Sequence, residues 1–134
     1  MLEWKNINTG ILANVCGFAL PNEITAIMGP SGSGKTTLLN ALYKGSDCLL
    51  YKQKYDPGQI GYVQQVNYMF DNLTVKEILS MYYLLAGNTT HEQGINTMNL
   101  KDCQDVIVCK ISGGEKKRVA LLIELSREHI EGIM

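Results

Sequence analysis

Residues Gly29-Pro30-Ser31-Gly32-Ser33-Gly34-Lys35-Thr36 have the spacing G-x-x-x-x-G-K-[ST], and the pattern suits a triphosphate. Backbone N–H groups must turn inward to wrap phosphate oxygens, and Gly29, Gly32 and Gly34 permit that geometry. A helix opening directly after the loop adds partial positive charge at its N-terminus. Lys35 supplies a full charge for the β- and γ-phosphates, and the Thr36 hydroxyl is placed to ligate Mg²⁺. Ser31, Ser33 and Thr37 belong to the same expected cradle. The motif defines the broad class of P-loop nucleotide-binding proteins.

Downstream, Ile111-Ser112-Gly113-Gly114-Glu115-Lys116-Lys117-Arg118 has the makings of a second phosphate reader. A serine hydroxyl and two glycine N–H groups stand at a helix N-terminus bare of bulky side chains. Taken alone, the same residues also read as an N-cap followed by an acidic first turn. Between the two motifs lies Gly61-Tyr62-Val63-Gln64-Gln65, a strand pattern ending in glutamine. A glutamine amide accepts from a metal-bound water and donates to a phosphate oxygen. Gln65 is the first candidate for that metal and nucleotide contact and Gln64 the lesser.

These residues need elements to hold them. Leu2 to Ile7 alternates as a strand does, and Ile11 to Leu20 is a second apolar stretch closed by Pro21-Asn22-Glu23. Ile24-Thr25-Ala26-Ile27-Met28 reads as a strand buried on both faces of a parallel sheet. The P-loop follows, then a helix from Lys35 to Leu42 closed near Gly45. Residues 46–59 read as a loop or edge hairpin, and Ile60 to Val63 as a strand. Thr74-Val75-Lys76-Glu77 has the capping-box form. Behind it Val75, Ile78, Leu79, Tyr82 and Ala86 share one helical face, which Gly87 stops. Residues 88–97 read as a polar connection, with His91 solvated. A last helix runs from Glu115 to about Arg127, with Val119 to Ile123 as its buried stripe. Strand, loop, helix, strand, helices is α/β order.

Composition narrows the classes. Of 134 residues, 46% are apolar and 19% charged, which is globular rather than disordered. A net charge of −1 lacks the electrostatic footprint of a nucleic-acid binder. Apolar runs such as Val119–Ile123 fall far short of the roughly 20 residues needed to span a bilayer. The first residues lack the basic start and apolar core of a signal peptide, so a cytosolic location is expected. Cys16, Cys48, Cys103 and Cys109 form no C-x-x-C pair, and are expected free, reduced and mostly packed in a core. Trp4 reads as a core or sheet-face residue rather than an adenine stack.

The three motifs together resemble the nucleotide-binding domain of ABC transporters. The wording of Ala26 to Asn40 and of the Ser-Gly-Gly-Glu-Lys-Lys-Arg signature is similar to the G subfamily, the white and pleiotropic-drug-resistance type. The resemblance covers roughly residues 2–128. It implies a P-loop NTPase-like parallel sheet with flanking helices and a helical signature subdomain, with ATP and Mg²⁺ as cofactors. It also implies a head-to-tail pair of domains sandwiching two nucleotides. Ser112, Gly113 and Gly114 would then contact ATP held by the partner domain. A transporter membrane domain, on another chain or a continuation, is the further implied partner, which would bring the chain to the cytosolic face of a membrane.

The family pattern continues into a strand ending Asp-Glu, a D-loop and a switch histidine. No Asp-Glu pair occurs in this chain, and His129 lies too near the signature for the switch position. The expectation is therefore one incomplete nucleotide-binding domain over residues 1–134, which binds ATP and does not efficiently hydrolyse it. The alternative is a catalytically inert module that regulates a full transporter by pairing with it. A small-molecule kinase would need a lid of arginines, and only Arg118 and Arg127 occur. An SMC-type protein would need a long coiled coil between the motifs.

Overall fold

In a computed structural model of the chain, the described residues are 1–44, 48–50, 53–54, 60–64, 69–87, 91–127 and 132–133. They fall into two compact units, Met1–Ile60 and Gly61–Ile133.

The first unit is built on an antiparallel sheet. Strand β1 (Leu2–Thr9) pairs with β2 (Leu12–Ala19), and on its other edge with β3 (Cys48–Leu50), which pairs with β4 (Gln53–Lys54). The order β2-β1-β3-β4 puts the antiparallel pair β3 and β4 at the sheet edge, within the 46–59 stretch expected to be a loop or an edge hairpin. Helix α1 (Lys35–Tyr43) lays Leu38, Ala41 and Leu42, spaced three and four apart, against Trp4 and Ile7. Trp4 is thus a core residue. It faces Gly17 across the β1–β2 ladder, and a Cβ there would come within 2.5 Å of the indole.

The expected buried parallel strand at Ile24–Met28 does not form. The segment has no strand assignment, and Ile24 and Met28 are almost fully exposed. Only Ile27 is half-buried against the first unit's core. β-Branched residues favour a strand, yet an interior strand needs neighbours for its N–H and C=O groups. No described strand pairs with this one, so it has neither ladder nor cover. Strand β5 (Ile60–Gly61) is likewise shorter than the expected Ile60–Val63.

The second unit is helical. It holds α2 (Val75–Leu85), α3 (Glu92–Thr97) and α4 (Gly113–Leu125), with 3-10 turns at Lys101–Cys103 and Val108–Lys110 between α3 and α4. Strand β6 (Gly132–Ile133) follows. Val75, Ile78 and Leu79 of α2, Ile95 of α3, and Val119 and Leu122 of α4 close one core with Leu100, Cys103, Val108 and Ile111. Of the Val119–Ile123 run expected as the buried stripe of α4, Val119, Ala120 and Leu122 are buried and Leu121 and Ile123 half-buried, because consecutive residues turn about 100° apart round the helix.

Two details depart from expectation. Helix α3 occupies part of the polar connection at 88–97. His91 at its start is half-buried, 3.3 Å from Ser80 Oγ and edge-on to Tyr83. Ser80 already donates its hydroxyl proton to the Lys76 carbonyl, so the imidazole N–H is the donor to Ser80. Of the cysteines, Cys103 is buried, whereas Cys16 and Cys109 are exposed. The side chain of Cys48 lies outside the described residues. No helix among the described residues is long and apolar enough to cross a membrane.

Candidate functional site

The P-loop belongs to the first unit and leads directly into α1. Gly34 is the N-cap of α1 with φ 91°, a conformation that favours glycine. Space makes the same demand, since a Cβ on Gly34 would meet Leu12 Cδ2 at 2.8 Å. Gly32 also has positive φ, at 80°, and faces open space. Lys35 folds back over the loop, and its Nζ donates to the carbonyls of Gly29 at 2.9 Å and Pro30 at 2.6 Å. The loop is closed by a 3.3 Å hydrogen bond from the Ser33 N–H to the Pro30 carbonyl. Ser31, Ser33 and Thr36 are exposed and Thr37 is half-buried. The P-loop candidates therefore lie together on one loop and the first turn of α1.

The start of α1 differs from those of the other long helices. No side chain caps it. Helix α2 opens with a capping box in which Thr74 and Glu77 satisfy each other's backbone N–H groups. Helix α4 opens in the same way with Ser112 and Glu115. An uncapped first turn leaves backbone donors pointing along the helix axis, as an anion requires. By this measure the start of α1 fits a phosphate, and the exposed Thr36 hydroxyl is an oxygen donor of the kind Mg²⁺ takes.

The signature residues belong to the second unit. Ser112, Gly113 and Gly114 are exposed. Neither glycine sits at positive φ. A Cβ on Gly113 would meet nothing within 4 Å, and one on Gly114 only the Arg118 guanidinium at 3.8 Å. Glycine in a helix is worse than alanine by up to about 1 kcal/mol, and nothing in the chain's own packing requires it here. The bare surface leaves room for close approach from outside.

Hydrogen bonds from Ser112 hold the Glu115 carboxyl below its ordinary range, and bonds from Thr74 do the same for Glu77. Gln65 lies outside the described residues. Its neighbour Gln64 is exposed, and its carbonyl accepts from Lys117 Nζ. Among the described residues no group of three or more His, Cys, Asp or Glu could hold a metal ion. Glu124 is paired with Arg127 at 3.1 Å. The sequence reading did not find the contrast between the uncapped α1 and the boxed α4. The absence of Ser, Thr, Asp or Asn immediately before Lys35 is the signal for it.

The family model for ABC transporters matches residues 14–129. The chain is 36% identical over 141 residues to ABC transporter G family member 22 of Arabidopsis thaliana, covering 87% of this chain and 19% of that protein. It is 36% identical over 143 residues to Protein white of Drosophila melanogaster, covering 85% and 21%. It thus spans about a fifth of the length of these relatives. The structure of cbiO1 from Clostridium perfringens, described as part of the ABC transporter complex cbiONQ, superposes with a TM-score of 0.74. That match covers 93% of this chain and 61% of cbiO1 at 21% identity, and bears on fold alone. The α/β P-loop NTPase-like fold is shared, although the described four-stranded sheet is antiparallel. With its family match running from β2 through α4, the chain belongs to the ABC transporter family, as a nucleotide-binding-domain sequence of the G subfamily.

Proposed function

We propose that residues 1–134 form a single partial nucleotide-binding domain that binds ATP with Mg²⁺ and by itself hydrolyses it poorly. The observation that carries this reading is the start of α1, uncapped and opening from a glycine loop with Lys35 folded over it. On binding, Lys35 exchanges the Gly29 and Pro30 carbonyls for phosphate oxygens. Thr36, with Gln65, would hold the Mg²⁺, which when bound neutralises phosphate charge. Gly29, Ser31, Gly32, Ser33, Gly34 and Thr37 wrap the phosphates. Ser112, Gly113 and Gly114 meet ATP held by a second nucleotide-binding domain in a head-to-tail pair. Their exposed, unpacked glycines support that assignment.

The carboxylates of the signature helix and the sequence pattern support poor turnover. Phosphoryl transfer depends on positioning and charge stabilisation. The sequence has no Asp-Glu pair. Glu115 is held by Ser112 and Glu124 by Arg127. In the assembled transporter, a membrane domain on another chain or a continuation would couple the nucleotide cycle to transport at the cytosolic face of a membrane.

Lys35→Ala tests the site. Losing a charge-assisted contact should weaken ATP binding by about 1.5–3 kcal/mol, roughly 10- to 150-fold. Calorimetric titration of the chain with ATP and Mg²⁺ reads this directly. Unchanged affinity in the variant would overturn the assignment.

A further inference from the structure

The Ser112 hydroxyl has one proton, and in the resting chain that proton goes to Glu115. Ser112 Oγ lies 2.7 Å from Glu115 Oε2, while the Glu115 N–H donates to the same Oγ at 3.3 Å. An ionised carboxylate only accepts, so the serine must be the donor. A phosphate oxygen also only accepts. The two anions therefore compete for a single proton. The competition is uneven at rest, because the Ser112 N–H also binds Glu115 Oε2 at 2.7 Å. Arg118 and Cys103 act on the same carboxyl and favour its charged form.

The capping box of α2 makes a useful comparison. Thr74 Oγ1 donates to Glu77 Oε2 at 2.9 Å and its N–H donates at 2.8 Å. There the next residue is Val75, which is fully buried, and the box serves as a helix cap alone. After Ser112 come two exposed glycines with open space above them. Similar bonding thus stands in two settings, one closed by packing and one open to an approaching ligand.

The geometry points to Glu115 as a positioning residue that holds the Ser112 hydroxyl in reserve and so sets the strength of its phosphate contact in the paired state. This rests on the reading that Ser112 meets a nucleotide held by another domain. In pairing, the serine proton must turn from Glu115 to the phosphate, and the carboxylate charge opposes the phosphate throughout. Replacing Glu115 by Gln keeps an acceptor for the Ser112 N–H, since either residue completes a capping box. It removes the charge and weakens the hold on the hydroxyl.

The test is ATP-dependent self-association of the full chain with Mg²⁺, measured by analytical ultracentrifugation. The variants are Glu115→Gln, Glu77→Gln and Ser112→Ala, with circular dichroism on each. Glu115→Gln should associate about five-fold more tightly than the unaltered chain, the difference between a charged and a neutral acceptor. Glu77→Gln should leave association unchanged, and Ser112→Ala should abolish it in either background. Association in the unaltered chain that Glu115→Gln leaves equal or weaker, with helix content preserved, overturns the role of Glu115 alone. Failure of every variant to associate while ATP is bound in a Lys35-dependent manner overturns the partner-facing reading and this role with it. Association only in Glu115→Gln supports both.

Discussion

At the scale of single residues, the glycines of the two motifs differ in what the chain itself demands of them. Gly34 is fixed by its own backbone and by Leu12, so any side chain there strains the loop. Gly113 and Gly114 are fixed by nothing inside the chain. Gly114→Ala should therefore stabilise the protein by up to about 1 kcal/mol, the helix-propensity difference, while weakening any ATP-dependent association. Thermal unfolding alongside ultracentrifugation checks this. A loss of stability would show that the glycine serves the chain's own fold. Glu77 and Glu115 give a second prediction. Both have folded-state pKa values lowered from the ordinary 4.5 by their capping partners. Their contribution to stability is therefore present above about pH 4.5 and lost as pH falls through the lower folded-state values. An acid titration of helix content should show this loss, and Glu77→Gln with Glu115→Gln should flatten that limb. An acid limb unchanged in the double variant would deny the two boxes this role. The Thr74–Glu77 box is legible in the sequence as a box and Ser112–Glu115 as an N-cap before an acidic first turn, because each pair spans one turn and needs no distant partner.

At the scale of elements, legibility follows locality. Helices α1, α2 and α4 appear within two residues of where their apolar spacing and caps place them. Helix α3 escaped because its six residues bury only Ile95, too short a stripe for periodicity to register. The Ile24–Met28 strand fails for the reverse reason. Its composition is local, but strand formation depends on partners elsewhere, and no described strand supplies them. The Trp4–Gly17 pair shows how tightly the first unit's sheet is fitted where partners exist. Gly17→Val would drive a side chain into the indole, at 2.5 Å already from Cβ. That variant should destabilise the first unit by about 1–3 kcal/mol, as overpacked cores do. Denaturant unfolding followed by Trp4 fluorescence reads the loss, and an unchanged midpoint would mean that the sheet opens easily at this point. Thr74→Ala, which removes the α2 cap, should cost about 1 kcal/mol, and a cost near zero by denaturant unfolding followed by circular dichroism would show that Glu77 alone secures that helix end.

At the scale of the whole molecule, the account separates gripping a nucleotide from breaking it. The first unit carries an uncapped helix start, a glycine loop and a folded-back lysine, the parts proposed to hold phosphate. The second carries a capped signature with bare glycines, in which Glu115 bonds to Ser112 and Glu124 pairs with Arg127, an arrangement proposed to meet a nucleotide without activating water. The glycine loop and its lysine are legible in the sequence, since G-x-x-x-x-G-K-T is contiguous. The resting bond between Ser112 and Glu115 was visible only as a capping option until the geometry set their distance. The most direct test is steady-state phosphate release by the purified chain with ATP, with and without Mg²⁺, beside its Lys35→Ala control and at ATP concentrations shown to saturate binding. The account predicts release no faster than the control. Mg²⁺-dependent release that exceeds the control would contradict it.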